Sequence, residues 1–118
     1  MIKLILFFCL LFTNAAYSDL KRDLDNQLEP LMDKVIEWRH DIHQNPELGN
    51  REFRTAKKVA DHLSSLDIEV ETGIAYTGVV GLLKGGLPGP TIGLRADMDA
   101  LPVVEKTGLP YASKVTTT

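Results

Sequence analysis

The stretch TIGLRADMDALP, Thr91 to Pro102, opens as an apolar β-strand and then sets two aspartates, Asp97 and Asp99, on either side of Met98. Side chains alternate along a strand, so Ile92, Leu94 and Ala96 share one face while Thr91, Gly93 and Arg95 share the other. Functional groups in open α/β sheets gather beyond the carboxyl ends of strands, and Asp97 and Asp99 stand just past that end. On an extended backbone they project to the same side, roughly 6 to 7 Å apart. Carboxylates so placed can bind a metal, act as general acid and base, or accept the N–H of a metal-binding histidine and so fix its tautomer. The competing reading is structural: Asp97 caps a turn and Asp99 pairs with Arg95.

Working outward, the preceding KGGLPGP holds three glycines and two prolines, a strong turn signal that fits a hairpin-like connection to an earlier strand. Three strands are expected, over residues 68–72, 78–84 and 91–96, and GIAYTGVVG is expected to make a tight link between the first two. It does not follow the G-x-G-x-x-G pattern of dinucleotide-binding loops.

Farther upstream, Leu24, Leu28, Leu31, Val35, Trp38 and Ile42 recur at alternating steps of four and three, the apolar stripe of one helix face. Pro30 interrupts it, so the firm helix is expected from about Glu29, with a looser lead-in. It should stop before Asn45-Pro46, because the residue preceding proline is pushed out of the helical region. NPELGN then reads as a turn, with Asn50 as N-cap of a second helix whose apolar face is Phe53, Ala56, Val59, Ala60, Leu63 and Leu66. Two helices followed by strands imply an α/β fold with helices covering at least one sheet face.

The histidines permit two readings. His40 and His43, spaced i and i+3, share a helix face and can supply two metal ligands. A histidine in the last turn of a helix is also stabilised by the helix dipole with no metal at all. His62 sits beside charged neighbours on the second helix and reads as a solvated side chain.

Composition narrows the rest. Residues 1–18 read as a secretory signal peptide: Met1-Ile2-Lys3, an apolar run, then Ala16-Tyr17-Ser18 before the cleavage point. The run is too short for a permanent transmembrane helix, which takes about 20 residues. A secreted or periplasmic product without a stable membrane anchor is therefore expected. Lys3 is the only charge in that segment, so of 13 basic residues 12 remain against 16 acidic, a net charge of −4. No basic stripe marks a nucleic-acid surface. Cys9, the only cysteine, lies in the signal segment, so residues 19–118 have neither a disulfide nor a thiolate ligand.

WRHDIHQNPELGNREFRTA, TGIAYTGVVGLLKGG, GPTIGLRADMDALPV and GLPYASK occur in this order, from about Leu31 to Lys114. Together they resemble the opening of the metal-dependent amidohydrolases of the aminoacylase and carboxypeptidase superfamily, in the branch of hippurate hydrolase, N-acyl-amino-acid amidohydrolase and the indoleacetyl-amino-acid hydrolases. The resemblance implies an exopeptidase-like α/β catalytic domain with two divalent metal ions, zinc or manganese, and a smaller lid domain through which a homodimer can form. The metals would activate water and polarise the amide carbonyl of a small N-acyl amino acid substrate. In that superfamily DMDALP takes the place of a histidine ligand followed two residues later by an aspartate. Asp97 then stands at the histidine position and Asp99 at the aspartate that supports the metal centre.

The ligand segment of that branch resembles Cys-Gly-His-Asp soon after YAS, with a glutamate pair and further histidines beyond, and none of these is present. Residues 19–118 are accordingly expected to be the N-terminal part of the catalytic domain, truncated before the metal-ligand segment and the lid, holding no metal alone and inactive as a short chain. The alternative is a natural short exported protein without catalysis, a remnant or a binding module.

Overall fold

The computed structural model describes residues 19–115, so the signal-peptide segment lies outside the described residues. The chain divides into two compact units, one running through Arg39 and the other starting at His40.

In the first unit, residues 19–28 are helical and carry the ion pairs Lys21–Asp25 (2.6 Å) and Arg22–Asp19 (2.8 Å). The looser lead-in expected before Glu29 is thus a helix. Pro30 is accommodated by a tight 3-10 turn, Glu29–Leu31, flanked by Leu28 and Met32 in right-handed helical geometry. Shortening the turn to i→i+3 bonding puts the missing N–H and the ring at a junction, where they cost least. Helix α1 follows, Met32–Gln44, its residues from His40 onward belonging to the second unit, with Lys34 Nζ 5.4 Å from the Trp38 ring. It ends where expected: the Asn45 amide reaches back to Asp41 O and Ile42 O, both at 3.2 Å, and Pro46 is buried.

In the second unit, helix α2, Phe53–Ser65, leads into an antiparallel pair, β1 (Glu69–Ile74) and β2 (Gly78–Leu82), and packs on both strands. Register runs from Glu69↔Leu82 to Ile74↔Gly78, with a bulge between Thr72 and Ile74 where Gly73 takes φ +79. GIAYTG is the expected tight link, its reversal carried by positive φ at Ala75 (48°) and Tyr76 (87°). A Cβ on Gly81 would lie 3.1 Å from Leu63 Cδ1 and 3.2 Å from Ile68 Cγ2, so the missing side chain is what lets α2 sit down on β2.

Asn50 does not cap α2. It sits in the left-handed region, at φ 62, and Glu52 precedes the helix without a side-chain cap. The orphan amides are taken instead by Glu47, whose carboxylate accepts the Arg54 N–H (3.0 Å), the Thr55 N–H (2.7 Å) and the Thr55 hydroxyl (2.8 Å). A carboxylate has acceptor capacity for all three and its charge suits a helix N-terminus, which a neutral asparagine side chain cannot match. Burial pushes the Glu47 carboxyl up, but these bonds outweigh it and hold the group below its ordinary value. Glu47→Ala is expected to cost about 1 to 2 kcal/mol of α2 stability in urea unfolding followed by circular dichroism. With a depressed folded value, the contribution is complete above the ordinary glutamate range and fades as pH falls through it. Equal stability of the variant and the parent at neutral pH would exclude Glu47 as the cap.

The third expected strand is absent. Residues 83–115 contain no helix or strand, and Ile92 and Leu94 are 80% and 96% exposed. KGGLPGP therefore closes no hairpin. A strand exists only through its ladder partner, and the described residues offer 91–96 none; its alternation records what it is built to bury. Among the described residues, apart from Pro46, no apolar side chain is buried, and the other buried side chains are polar: Thr55, Thr77 and Glu52. The outcome is an incomplete α/β unit of two main helices and a two-stranded sheet.

Candidate functional site

The segment after Arg95 is held by one backbone anchor, the Ala100 N–H donating to Glu47 O at 2.8 Å. Glu47 thus serves two elements, capping α2 with its side chain and receiving the aspartate segment with its carbonyl. Beside the anchor, Asp99 lies over the NPELGN turn: a Cβ on Gly49 would be 3.9 Å from Asp99 Oδ2 and 4.0 Å from Glu52 Oε1. Gly49 leaves room for two carboxylates to approach the same point.

Asp97 has a different environment. It is exposed and forms an ion pair with Arg95 at 2.7 Å, so the arginine partner expected for Asp99 belongs to Asp97. In this irregular segment Asp97 is held by Arg95, while Asp99, also exposed, lies beside the Gly49 turn.

Glu52 is enclosed and accepts the Thr77 hydroxyl at 2.5 Å, tying the start of α2 to the strand turn. That bond, with backbone N–H groups of its own turn, holds its carboxyl below the ordinary range. Asp41, near the end of α1, receives Arg54 and Lys58 from α2. The Lys58 bond is the main influence lowering the Asp41 carboxyl; burial opposes it and Arg54 reinforces it.

The two α1 histidines are brought together with the far end of the described chain. His40 stacks on Tyr111, with ring centroids 3.6 Å apart at 10°. His43 meets the same ring edge-on at 5.8 Å, and its Nε2 lies 2.9 Å from Glu105 Oε2. His62 lies in the last turn of α2. Neither His40 nor His43 is brought together with Asp97 or Asp99 as a donor set, and among the described residues no group of three or more His, Cys, Asp or Glu side chains can hold a metal ion. The described residues therefore do not fit a two-metal centre.

Glu47, Glu52, Glu105 and Tyr111 were not singled out by sequence. For Glu47 a signal existed, an acidic residue closely preceding a helix start. The histidine partners of Glu105 and Tyr111 lie more than sixty residues away, and no local pattern encodes them.

No model of a protein family matches the chain, and no solved structure matches it. Curated proteins do. It is 48% identical over 98 residues to thermostable carboxypeptidase 2 of Saccharolobus solfataricus, covering 82% of this chain and 25% of that protein. It is 59% identical over 76 residues to hippurate hydrolase of Campylobacter jejuni, 64% of this chain and 20% of that one. With N-acetyldiaminopimelate deacetylase of Listeria innocua it shares 45% over 85 residues, 71% and 23%. The chain thus spans at most about a quarter of the length of these relatives. Over the segment shared with these carboxypeptidases, hydrolases and deacetylases, the chain belongs to the aminoacylase family of metal-dependent amidohydrolases, of which it carries an N-terminal portion.

Proposed function

We propose that this chain is the N-terminal part of an exported amidohydrolase that cleaves the amide bond of N-acyl amino acids or related small peptides, and that it does not catalyse this reaction alone. The observation that carries the reading is the 59% identity to a hippurate hydrolase across 76 residues. The full exposure of the apolar 91–96 segment supports a part over a self-sufficient binding module, because a free-standing module has no use for an unburied strand. In this reading Asp99, anchored beside Gly49 and Glu52, supports a metal site whose ligands come from sequence beyond the described residues, and Asp97 occupies the adjoining position. Export rests on the signal-like residues 1–18, and a homodimer would form through a lid that is likewise outside the described residues.

The test is metal content and turnover of the purified chain, loaded with zinc or manganese and offered N-benzoylglycine. The expected result is no stoichiometric metal after gel filtration and no hydrolysis, because a catalytic zinc takes about three protein ligands and the described residues gather no such set. Retained metal with turnover would overturn the reading and make the carboxylates and histidines of this chain direct ligands.

A further inference from the structure

Glu105 lies in a stretch without helix or strand, yet three donors converge on it. His43 Nε2 is 2.9 Å from Oε2, the Ser113 N–H donates to the same oxygen at 2.7 Å, and the Thr107 hydroxyl donates to Oε1 at 2.5 Å. Its side chain is only 12% exposed, so these contacts have displaced most of its water. The loop it closes is shaped for reversal: Gly108 takes φ +71 and the Ala112 N–H returns to Leu109 O at 3.0 Å. Tyr111, inside that loop, lies flat on His40, one turn before His43. The loop is thereby attached at two successive turns of α1, once by a ring face and once by a carboxylate.

We infer that Glu105 is a positioning residue: by gathering His43, Thr107 and the Ser113 backbone, it seats residues 105–113 on the C-terminal turns of α1 and sets the direction in which the chain leaves Ser113. Nothing in this geometry depends on the catalytic reading, and it holds whatever follows Ser113. The chemistry is particular to a carboxylate. Three donors need acceptor lone pairs on both oxygens, and an ionised carboxyl supplies about four. Glutamine can copy the arrangement by turning its carbonyl to His43 and Ser113 and its amide to the Thr107 oxygen. Alanine cannot. The Thr107 hydroxyl first, then the Ser113 amide, hold the Glu105 carboxyl below its ordinary range; burial opposes them, and His43 adds a lesser lowering effect. The titratable and charged groups around Glu105 are His40 and His43 on α1, Tyr111 and Lys106 within the loop, and Lys114 just after it.

Hydrogen exchange and proton NMR on the 118-residue chain separate positioning from general stabilisation. Glu105→Ala is expected to lower the protection factor of the Ser113 amide about 10- to 100-fold, as for loss of a bond to a charged acceptor. It should also remove the ring-current shift that Tyr111 imposes on His40, while the α2 amides keep their protection. Glu105→Gln is expected to restore most of both signals. Because the Glu105 carboxyl is held below its ordinary value, Ser113 protection in the parent chain should be complete above the ordinary glutamate range and fall only as pH drops below it, where the carboxyl takes up its proton, whereas in Glu105→Gln it should not change over that range. The inference is overturned if Ser113 protection and the His40 shift survive Glu105→Ala, or if that variant also strips protection from α2.

Discussion

Gly78→Ala is expected to break the turn end of the β1–β2 pair and to cost about 3 kcal/mol, the upper part of the range for overpacking. A Cβ at this position would lie 2.5 Å from the Ile74 carbonyl oxygen and 3.3 Å from its carbon. Both are backbone atoms, so no rotamer change relieves the clash. Neither can the turn drift, because Gly73, Ala75 and Tyr76 already occupy positive φ and Ile74↔Gly78 is the pair that closes the ladder after the bulge. The expected result is lost amide protection at Val79 and Val80 and a lower urea midpoint. Two other glycines calibrate it. Gly81→Ala meets the ends of the Leu63 and Ile68 side chains at 3.1 and 3.2 Å, which can turn aside, and should cost about 1 kcal/mol. Gly93→Ala meets nothing within 4 Å and should be neutral. A Gly78→Ala chain as stable as Gly93→Ala would show that the turn is not constrained as described.

The second large effect belongs to Asp99. In a chain extended to the length of its relatives, Asp99→Asn is expected to leave folding intact and to lower metal retention or hydrolysis about 10- to 100-fold, the usual loss when a group supporting a metal ligand is removed. Asp97→Asn breaks only an exposed pair with Arg95 in this structure, and pairs of that kind contribute little. Measuring the two variants side by side tests the distinction. If Asp97→Asn is the more damaging, the two roles must be exchanged, and the Arg95 contact would be replaced in the complete enzyme.

Where the sequence was readable, the reason was local. Gln44 closes α1 because Pro46 forbids its continuation, and Pro46 acts on the residue beside it. The GIAYTG turn was readable because two glycines flank a segment too short for anything but a reversal. The cap of α2 was missed because a neutral asparagine beside the helix competes, in any local reading, with a glutamate that reaches it from farther back. The strand at 91–96 failed for a deeper reason. Alternation reports which side chains are meant to be covered, and it is silent on whether the covering element lies within the described chain. The aspartate pair shares that fate: the sequence shows its spacing, but not that Arg95 pairs with Asp97 rather than with Asp99.

The exposure of Ile92 and Leu94 also bears on time. The contacts that α2, β1 and β2 make with one another fall between Phe53 and Leu82, and units with such local contacts close in microseconds to milliseconds. On a ribosome this helix and hairpin would be in place almost as soon as Leu82 clears the exit tunnel. The apolar strand a few residues behind would emerge finished in sequence and unpaired in space. With synthesis at about 5 to 20 residues per second, each further hundred residues needed to bring its partner adds about 5 to 20 seconds of waiting. An apolar segment left exposed in this way stays open to capture for longer than the helix and hairpin take to form.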